Sequence, residues 1–574
     1  MFDKFFFNSF ALTFIISCIY IFKNLYLANN FLNYLTKKNI FNNFEFNFLV
    51  CFYLIFLIEC FIFNWFVFFN FKINIFYIYF ILKTTYFLFL LFKKSKRINF
   101  KNIFNIFKSL KLEYKIILLL FFYISLLPIS DADSIYIHLN FPITYLFDDL
   151  KNLYKFSELS LFHNSETILF NSAILKISNV GNLLNFTALT VFIFTLKQKK
   201  IFSNNFLLLF FSTPLILFLM NTQKLQIFFG ILYLIIFIYF NQYKKIDKKI
   251  EIFLIILLFV FFVSGKLSYY LLSIPIFIYS VSKIRKIYLY KYYLLSFILI
   301  LIPIWLIKYK LYNNPIAPFF QSWFYASTEL QNLDDVIKMQ GWRNVGFNFQ
   351  ELFSYFIPTD SSKISAATGL GFIYILFIKK LKKLEPSDYI AFTGILLVYI
   401  SGQISPRFYF ESILILMYFF KDRISNLIKY ILKTQQILII LLVFGFCTFS
   451  AKDIFISDNF MKKFSNSYNE AKLLNTIKTT ENVLVLDQGR HSVFYGKNIY
   501  PIAVKENYNY VVNLINNKRI KFLSVKNISK IPNCLQYELV KEINYFNGTR
   551  NFVKNKEKTL KKIYKIKQNN CLLR

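Results

Sequence analysis

In the stretch DADSIYIHLNFP, Asp131 to Pro142, two carboxylates and an imidazole follow an apolar run that ends at Pro128. Ionisable side chains at the edge of hydrocarbon need water or a polar partner. A carboxylate in low-dielectric surroundings near a second carboxylate gains proton affinity and can take a proton from an attacking hydroxyl. Asp133, with Asp131 beside it, is therefore the candidate general base. His138 stands a little past one helical turn beyond Asp133 and could orient a phosphate or share a divalent metal with Asp131 and Asp133. The blander reading makes Asp and Ser the N-cap of a new helix, and the histidine a hydrogen-bonded structural residue.

Three further positions could meet a phosphate. Lys224 in NTQK, Lys266 in SGK and Arg407 in SPR are isolated cations at short turns between apolar runs. A lipid phosphate lies at that depth, and arginine can grip it through two parallel bonds. Snorkelling from a helix end is the alternative for each. The chain has no Walker-type glycine loop, no GxGxxG after a strand and no GxSxG elbow, which argues against soluble nucleotide chemistry. Six scattered cysteines without a CxxC pair suggest neither a disulfide scaffold nor a thiolate metal site. Cys534 and Cys571 could pair if the polar tail lies in an oxidising compartment.

The elements that must position these residues are transmembrane helices. The 574 residues are 56% hydrophobic with a mean hydropathy of +0.47. About fourteen apolar runs are candidate spans: Ser9 to Ala28, Phe46 to Asn70, Ile73 to Phe92, Lys115 to Leu127, Asn182 to Leu196, Asn205 to Met220 and Leu225 to Phe240, followed by Ile250 to Val263, Leu267 to Val281, Tyr292 to Ile307, Ala366 to Ile378, Tyr389 to Ser401, Phe408 to Phe420 and Thr434 to Ser450. The formal charge of +37 is scattered between these runs, as in basic loops that orient helices, so nucleic acid is not the expected partner.

Basic connections such as Lys93 to Lys115, Lys197 to Lys200 and Lys379 to Lys383 fall an even number of spans apart and go to the cytoplasm. The opposite face then receives DADSIYIHLNFP, the turns at Lys224, Lys266 and Arg407, the long loops 128–181 and 309–365, and the tail from Ala451. Three regions result: N-terminal membrane helices with a basic loop (1–114), a membrane domain (115–450), and a small extracytoplasmic α/β domain (451–574). In the tail, Asn482 to Leu486 and Phe522 to Val525 read as strands, Ser465 to Thr479 as a helix, and the lysine-rich Lys554 to Lys567 as a solvated helix face or frayed end. In the first long loop, Asp148 to Leu161 reads as an amphipathic helix.

Asp133, His138, Leu139 and Pro142, at the outer end of a span, resemble the first-loop motif of the GT-C class of polytopic membrane glycosyltransferases. These take sugars from polyprenyl-phosphate donors, as mannosyltransferases and aminoarabinose transferases do. Ile137 stands where related sequences tend to have Tyr. HNSETIL, His163 to Leu169, is similar to the family's later segment with a Glu, here Glu166. NNPIAPFF, Asn313 to Phe320, resembles its Gly-Asn-Pro-x-x-Pro-Phe loop with Asn313 in place of Gly, and SPRFYFE, Ser405 to Glu411, its late Arg-Tyr segment with Arg407 matching and Phe408 in place of Tyr. The resemblance spans roughly residues 125 to 420 and leaves out the first three spans.

It implies a GT-C-like fold in a bacterial inner membrane and an active site open to the outside. Asp133, helped by Asp131, would act as base or help hold a divalent metal. His138, Glu166, Lys266 and Arg407 would bind a polyprenyl-phosphate-linked sugar, with membrane lipids around it. The rivals are a transporter or flippase of lipid-linked glycans, for which internal symmetry and mid-membrane charges would speak, and a non-catalytic membrane scaffold. Glu59, Lys83 and Glu411 lie inside or at the ends of apolar runs.

Overall fold

The computed structural model describes residues 6–93, 100–129, 134–147, 160–242, 249–284, 288–320, 367–370, 385–420, 424–455, 481–486, 499–501, 508–525, 531–546 and 558–571, with a few single positions left out of these ranges and a few added between them. Ser130 to Asp133 fall outside, so Asp131 and Asp133 do too. So do the expected helices at Asp148 to Leu161, apart from its last two residues, and at Ser465 to Thr479, and most of the expected span Ala366 to Ile378.

The chain is mostly helical. Helices α1 (Phe10–Lys37), α2 (Asn47–Phe68) and α3 (Ile73–Phe92) come first, followed by the short basic α4 (Phe100–Lys108) and by α5 (Leu112–Ser125). A π-turn over Ser134–His138 leads into α6 (Asn140–Phe147), and two short helices, α7 (Asn164–Ile168) and α8 (Phe170–Leu175), precede α9 (Val180–Gln198). Then come α10 (Asn204–Phe211), α11 (Pro214–Leu219), α12 (Gln226–Asn241), α13 (Lys249–Val263), α14 (Leu267–Ile284) and α15 (Tyr288–Tyr312). The last of the bundle are α16 (Pro386–Ile400), α17 (Phe410–Phe420) and α18 (Asn426–Phe455).

Among the described residues seven helices are long and apolar enough to cross a bilayer: α1, α2, α3, α9, α14, α15 and α18. Helices α12, α16 and α17 are apolar but shorter. The expected span Asn205 to Met220 is divided into α10 and α11, because Pro214 lacks an N–H and takes the first position of a new helix.

Helix α12 is apolar all round and buried along its length up to Phe240, which makes it the central post of the bundle. Helices α9, α13, α14 and α17 pack around it. At the periphery, α3 exposes Ile78, Ile81, Leu82 and Phe89, and α18 exposes Leu438, Leu441, Leu442 and Phe444. Faces this apolar are stable next to lipid rather than water.

The tail forms a five-stranded sheet in the order β2-β1-β3-β5-β4, with strands β1 (Asn482–Val485), β2 (Ile499–Pro501), β3 (Ile520–Val525), β4 (Leu535–Phe546) and β5 (Lys558–Asn569). β1 runs parallel to β2 and β3, whereas β5 is antiparallel to β3 and β4. Helix α19 (Tyr508–Asn517) supplies Val511, Val512 and Ile515 to one apolar face, against Leu484, Leu523 and Tyr564. Val483, Val485, Phe522 and Ile563 are buried on the other.

From Lys558 on, the lysine-rich segment expected as a solvated helix face or frayed end is thus a strand. Its lysines are accommodated by cross-strand pairs, Lys562 with Glu542 at 2.6 Å and Lys567 with Glu538 at 2.7 Å, while Ile563 and Tyr564 are buried. Cys534 and Cys571 form a disulfide.

Candidate functional site

The loops expected on one face meet at one end of the bundle. The backbone N–H of Gln223 donates to Ser134 Oγ at 2.9 Å, and the Gln223 side chain accepts from Gly181 N–H at 2.7 Å while donating to the Ser178 carbonyl. A β-carbon at position 181 would sit 2.9 Å from the backbone of Gln223, so only glycine allows this approach. Asn164 donates to Ser264 Oγ at 2.6 Å, Ser165 Oγ to the Gly265 carbonyl at 2.6 Å, and Gln226 Nε2 to the Arg407 carbonyl.

Two groups of charged residues lie in this end. The first is built on α7. Its capping geometry brings Glu166 back over the start of its own helix, where the His163 N–H donates to Oε2 at 2.6 Å. The other oxygen meets His138 Nδ1 at 2.6 Å and Ser165 Oγ at 2.9 Å. His138 and Glu166 are thus paired, with side chains 12% and 3% exposed. The contact at Nδ1 fixes the ring orientation and leaves Nε2 for another partner.

The second group surrounds the SGK turn. Lys266 Nζ and the Arg407 guanidinium each stand 4.9 Å from the centre of the Phe408 ring. Glu411, Lys224, Arg407 and Glu166 all act electrostatically on Lys266. Burial lowers the proton affinity of Lys266, and Glu411 partly restores it. Glu411 is fully buried at the start of α17 and faces Tyr269 and Gln226 as well as Lys266. Lys224 Nζ lies 5.2 Å from the centre of the Phe218 ring. Gly265 permits the tight turn, since a β-carbon there would come within 2.8 Å of the Phe229 ring.

Lys308, near the end of α15, completes the arrangement. It is buried, donates to the Ala317 carbonyl at 2.9 Å, and acts on Glu166 and His163. Burial, reinforced by the Lys308 charge, holds the proton affinity of His163 well below the usual histidine range, against the opposing contact with the Leu161 carbonyl.

His138, Glu166, Lys266 and Arg407, singled out from sequence, are therefore brought together, and Lys224 joins them. Sequence reasoning gave Lys308 no role and left Glu411 unassigned. Glu411 had a signal, an acid just beyond the Arg407 turn at the mouth of an apolar helix. Lys308 had none that separates it from Lys310, an ordinary helix-end cation. Among the described residues no group of three His, Cys, Asp or Glu side chains is arranged to hold a metal ion. Asp131 and Asp133, the other two expected metal ligands, lie outside those residues.

Four cations, Lys224, Lys266, Arg407 and Lys308, face two carboxylates, Glu166 and Glu411. Such an end can bind an anion and stabilise negative charge that develops on it. Comparison with protein-family models, with curated proteins and with solved structures finds no match.

Proposed function

We propose that the chain is an integral-membrane glycosyltransferase with a GT-C-like fold of fourteen crossings. In this reading it transfers a sugar from a polyprenyl-phosphate donor to a lipid, glycan or protein acceptor on the outer face of a bacterial inner membrane. The observation that carries the reading is the convergence of Lys266 and Arg407 on one ring, with Lys224 beside them, at one end of an apolar bundle. Like charges held together in a partly buried place are stabilised by an anionic ligand. A phosphate on a long apolar chain fits both the charge and the surrounding bilayer.

In the reaction the acceptor oxygen attacks the anomeric carbon and the bond from that carbon to the phosphate oxygen breaks. The acceptor proton passes to Asp133, assisted by Asp131, and the electron pair leaves on the phosphate, where Lys266 and Arg407 stabilise it. His138, oriented by Glu166, holds the ligand through Nε2. A divalent metal held by Asp131, Asp133 and His138 would add charge stabilisation at the same place. An outward site also explains a lipid-linked donor, because cytoplasmic nucleotide sugars do not reach it. The Cys534 to Cys571 pair supports an oxidising compartment for the tail.

The test is mass spectrometry of lipid-linked sugars and surface glycans in cells with the wild-type chain, with Asp133→Asn and without the gene. A sugar conjugate lost in Asp133→Asn, while the variant remains folded and inserted, is the expected result. Wild-type turnover in that variant overturns the assignment. Movement of a lipid-linked glycan across liposomes with no covalent product supports a flippase instead.

A further inference from the structure

A second group of buried charges lies away from the site, among the first three helices. Lys23 of α1, Glu59 of α2 and Lys83 of α3 stand near the middle of their helices, where an ionised side chain is costly in hydrocarbon. Glu59 is 1% exposed and pairs with Lys83. Lys23 is equally buried, donates to Thr84 Oγ1 at 3.3 Å and stands 3.6 Å from the centre of the Phe80 ring.

The polar contacts of α2 lead out of this group to one place. The second oxygen of Glu59 accepts from Asn171 Nδ2 in α8. Further along the same helix, Asn64 donates to Asn164 Oδ1 at 2.8 Å and accepts from Thr167 Oγ1 at 2.9 Å, both in α7. Helices α7 and α8 have five and six residues, too few to be stable on their own. They are held from outside, and Glu166 lies between Asn164 and Thr167, the two residues that Asn64 holds.

If the buried pair served packing alone, apolar side chains of similar volume would do as well. Its direction argues for more, since Glu59 turns one oxygen to Lys83 and the other to the segment that carries Glu166. We propose that Glu59 is a positioning residue for Glu166: through Asn171, and with Asn64 as a second hold, α2 sets the depth of α7 and α8 and keeps Glu166 on His138. This gives the first three helices a role in the site. The docking stands on geometry, while its effect on turnover rests on the transferase reading above.

Asn171→Leu tests it, because that change keeps the branching at Cγ and the Glu59 to Lys83 pair and removes the link, together with the 3.0 Å bond from Asn171 Nδ2 to the Ile168 carbonyl. In monodisperse protein, the rate at which diethylpyrocarbonate modifies His138 is followed by peptide mass spectrometry, with added N-acetylhistidine as reference. The expected result is about a tenfold faster reaction, as for loss of one hydrogen bond to a charged group. Turnover per folded molecule at subsaturating donor falls by a similar factor, because His138 is one of the residues that hold the ligand. Asn64→Ser is the second variant, with the same expectation, should Asn171→Leu fail to fold. Wild-type His138 reactivity in the variants that fold overturns the proposal, whatever their yield. A wild-type protein with no turnover counts against the transferase reading, and the His138 rates still decide the docking.

Discussion

Glu166 accepts from the His163 N–H and pairs with His138, and replacing it by glutamine or by alanine separates these two duties. In Glu166→Gln the amide oxygen can still accept from the His163 N–H, so the start of α7 keeps its cap. The amide nitrogen then faces His138 and Ser165. Ser165 can accept there, because its one proton is already directed to the Gly265 carbonyl at 2.6 Å. What is lost is the charge on the bond to His138, the difference between a charge-assisted and a neutral hydrogen bond, about 1–2 kcal/mol.

Glu166→Ala also removes the bond to the His163 N–H, made at 2.6 Å in a buried place. Two groups, that N–H and His138 Nδ1, lose their partner at about 1–3 kcal/mol each, giving about 2–6 kcal/mol in all. Equilibrium unfolding in mixed micelles, followed by tryptophan fluorescence, measures both. The expected order is wild type, then Gln, then Ala, with about 2.5 kcal/mol between the two variants at the middle of these ranges. Equal losses in Gln and Ala would mean that the cap contributes nothing and that the account of α7 is wrong.

Arg407→Lys keeps the charge and removes the planar fork, so donor affinity should fall about tenfold, read as KM or by binding of a short-chain polyprenyl phosphate, and an unchanged value removes Arg407 from phosphate binding. Burial holds the folded-state proton affinity of His163 below its unfolded value, so the unfolded chain takes up a proton that the folded chain refuses. Stability should therefore fall as pH drops below about 6.5, by at most about 1.4 kcal/mol per pH unit, and His163→Asn should flatten that part of the profile. Gly265→Val forces the SGK turn away from Phe229 and displaces Lys266, so it should weaken donor binding more than Lys266→Met alone; a variant with wild-type affinity would refute the tightness of the turn.

Much of the site could be read from the chain because membrane helices obey a simple parity. Alternating basic and non-basic connections sorted the loops into two sets, and the set containing His138, Glu166, Lys266 and Arg407 is the one whose members hydrogen-bond to each other. The division of Asn205 to Met220 was legible in principle, since Ser212, Thr213 and Pro214 form a cap followed by a helix-starting proline. The polar docking of α7 and α8 on α2 was not. Asn64, Asn164 and Asn171 are three asparagines in an asparagine-rich chain, and nothing local says which of them face one another. β5 was misread because its lysines outnumber its apolar residues. A strand flanked on both edges needs only a few buried side chains, here Ile563 and Tyr564, to hold it.

The strand order of the tail carries a consequence for how the chain is made. β5 is synthesised after β4 but lies between β4 and β3, so the sheet cannot grow in the order in which the ribosome delivers it. Until β5 emerges, β3 has an unpaired edge beside β1, and β4 has no neighbour at all. Until β5 is made, the sheet can exist only in two parts, and its closure must wait for the strand that lies between them. Any factor that delays delivery of β5 would hold that edge open to pairing with another chain.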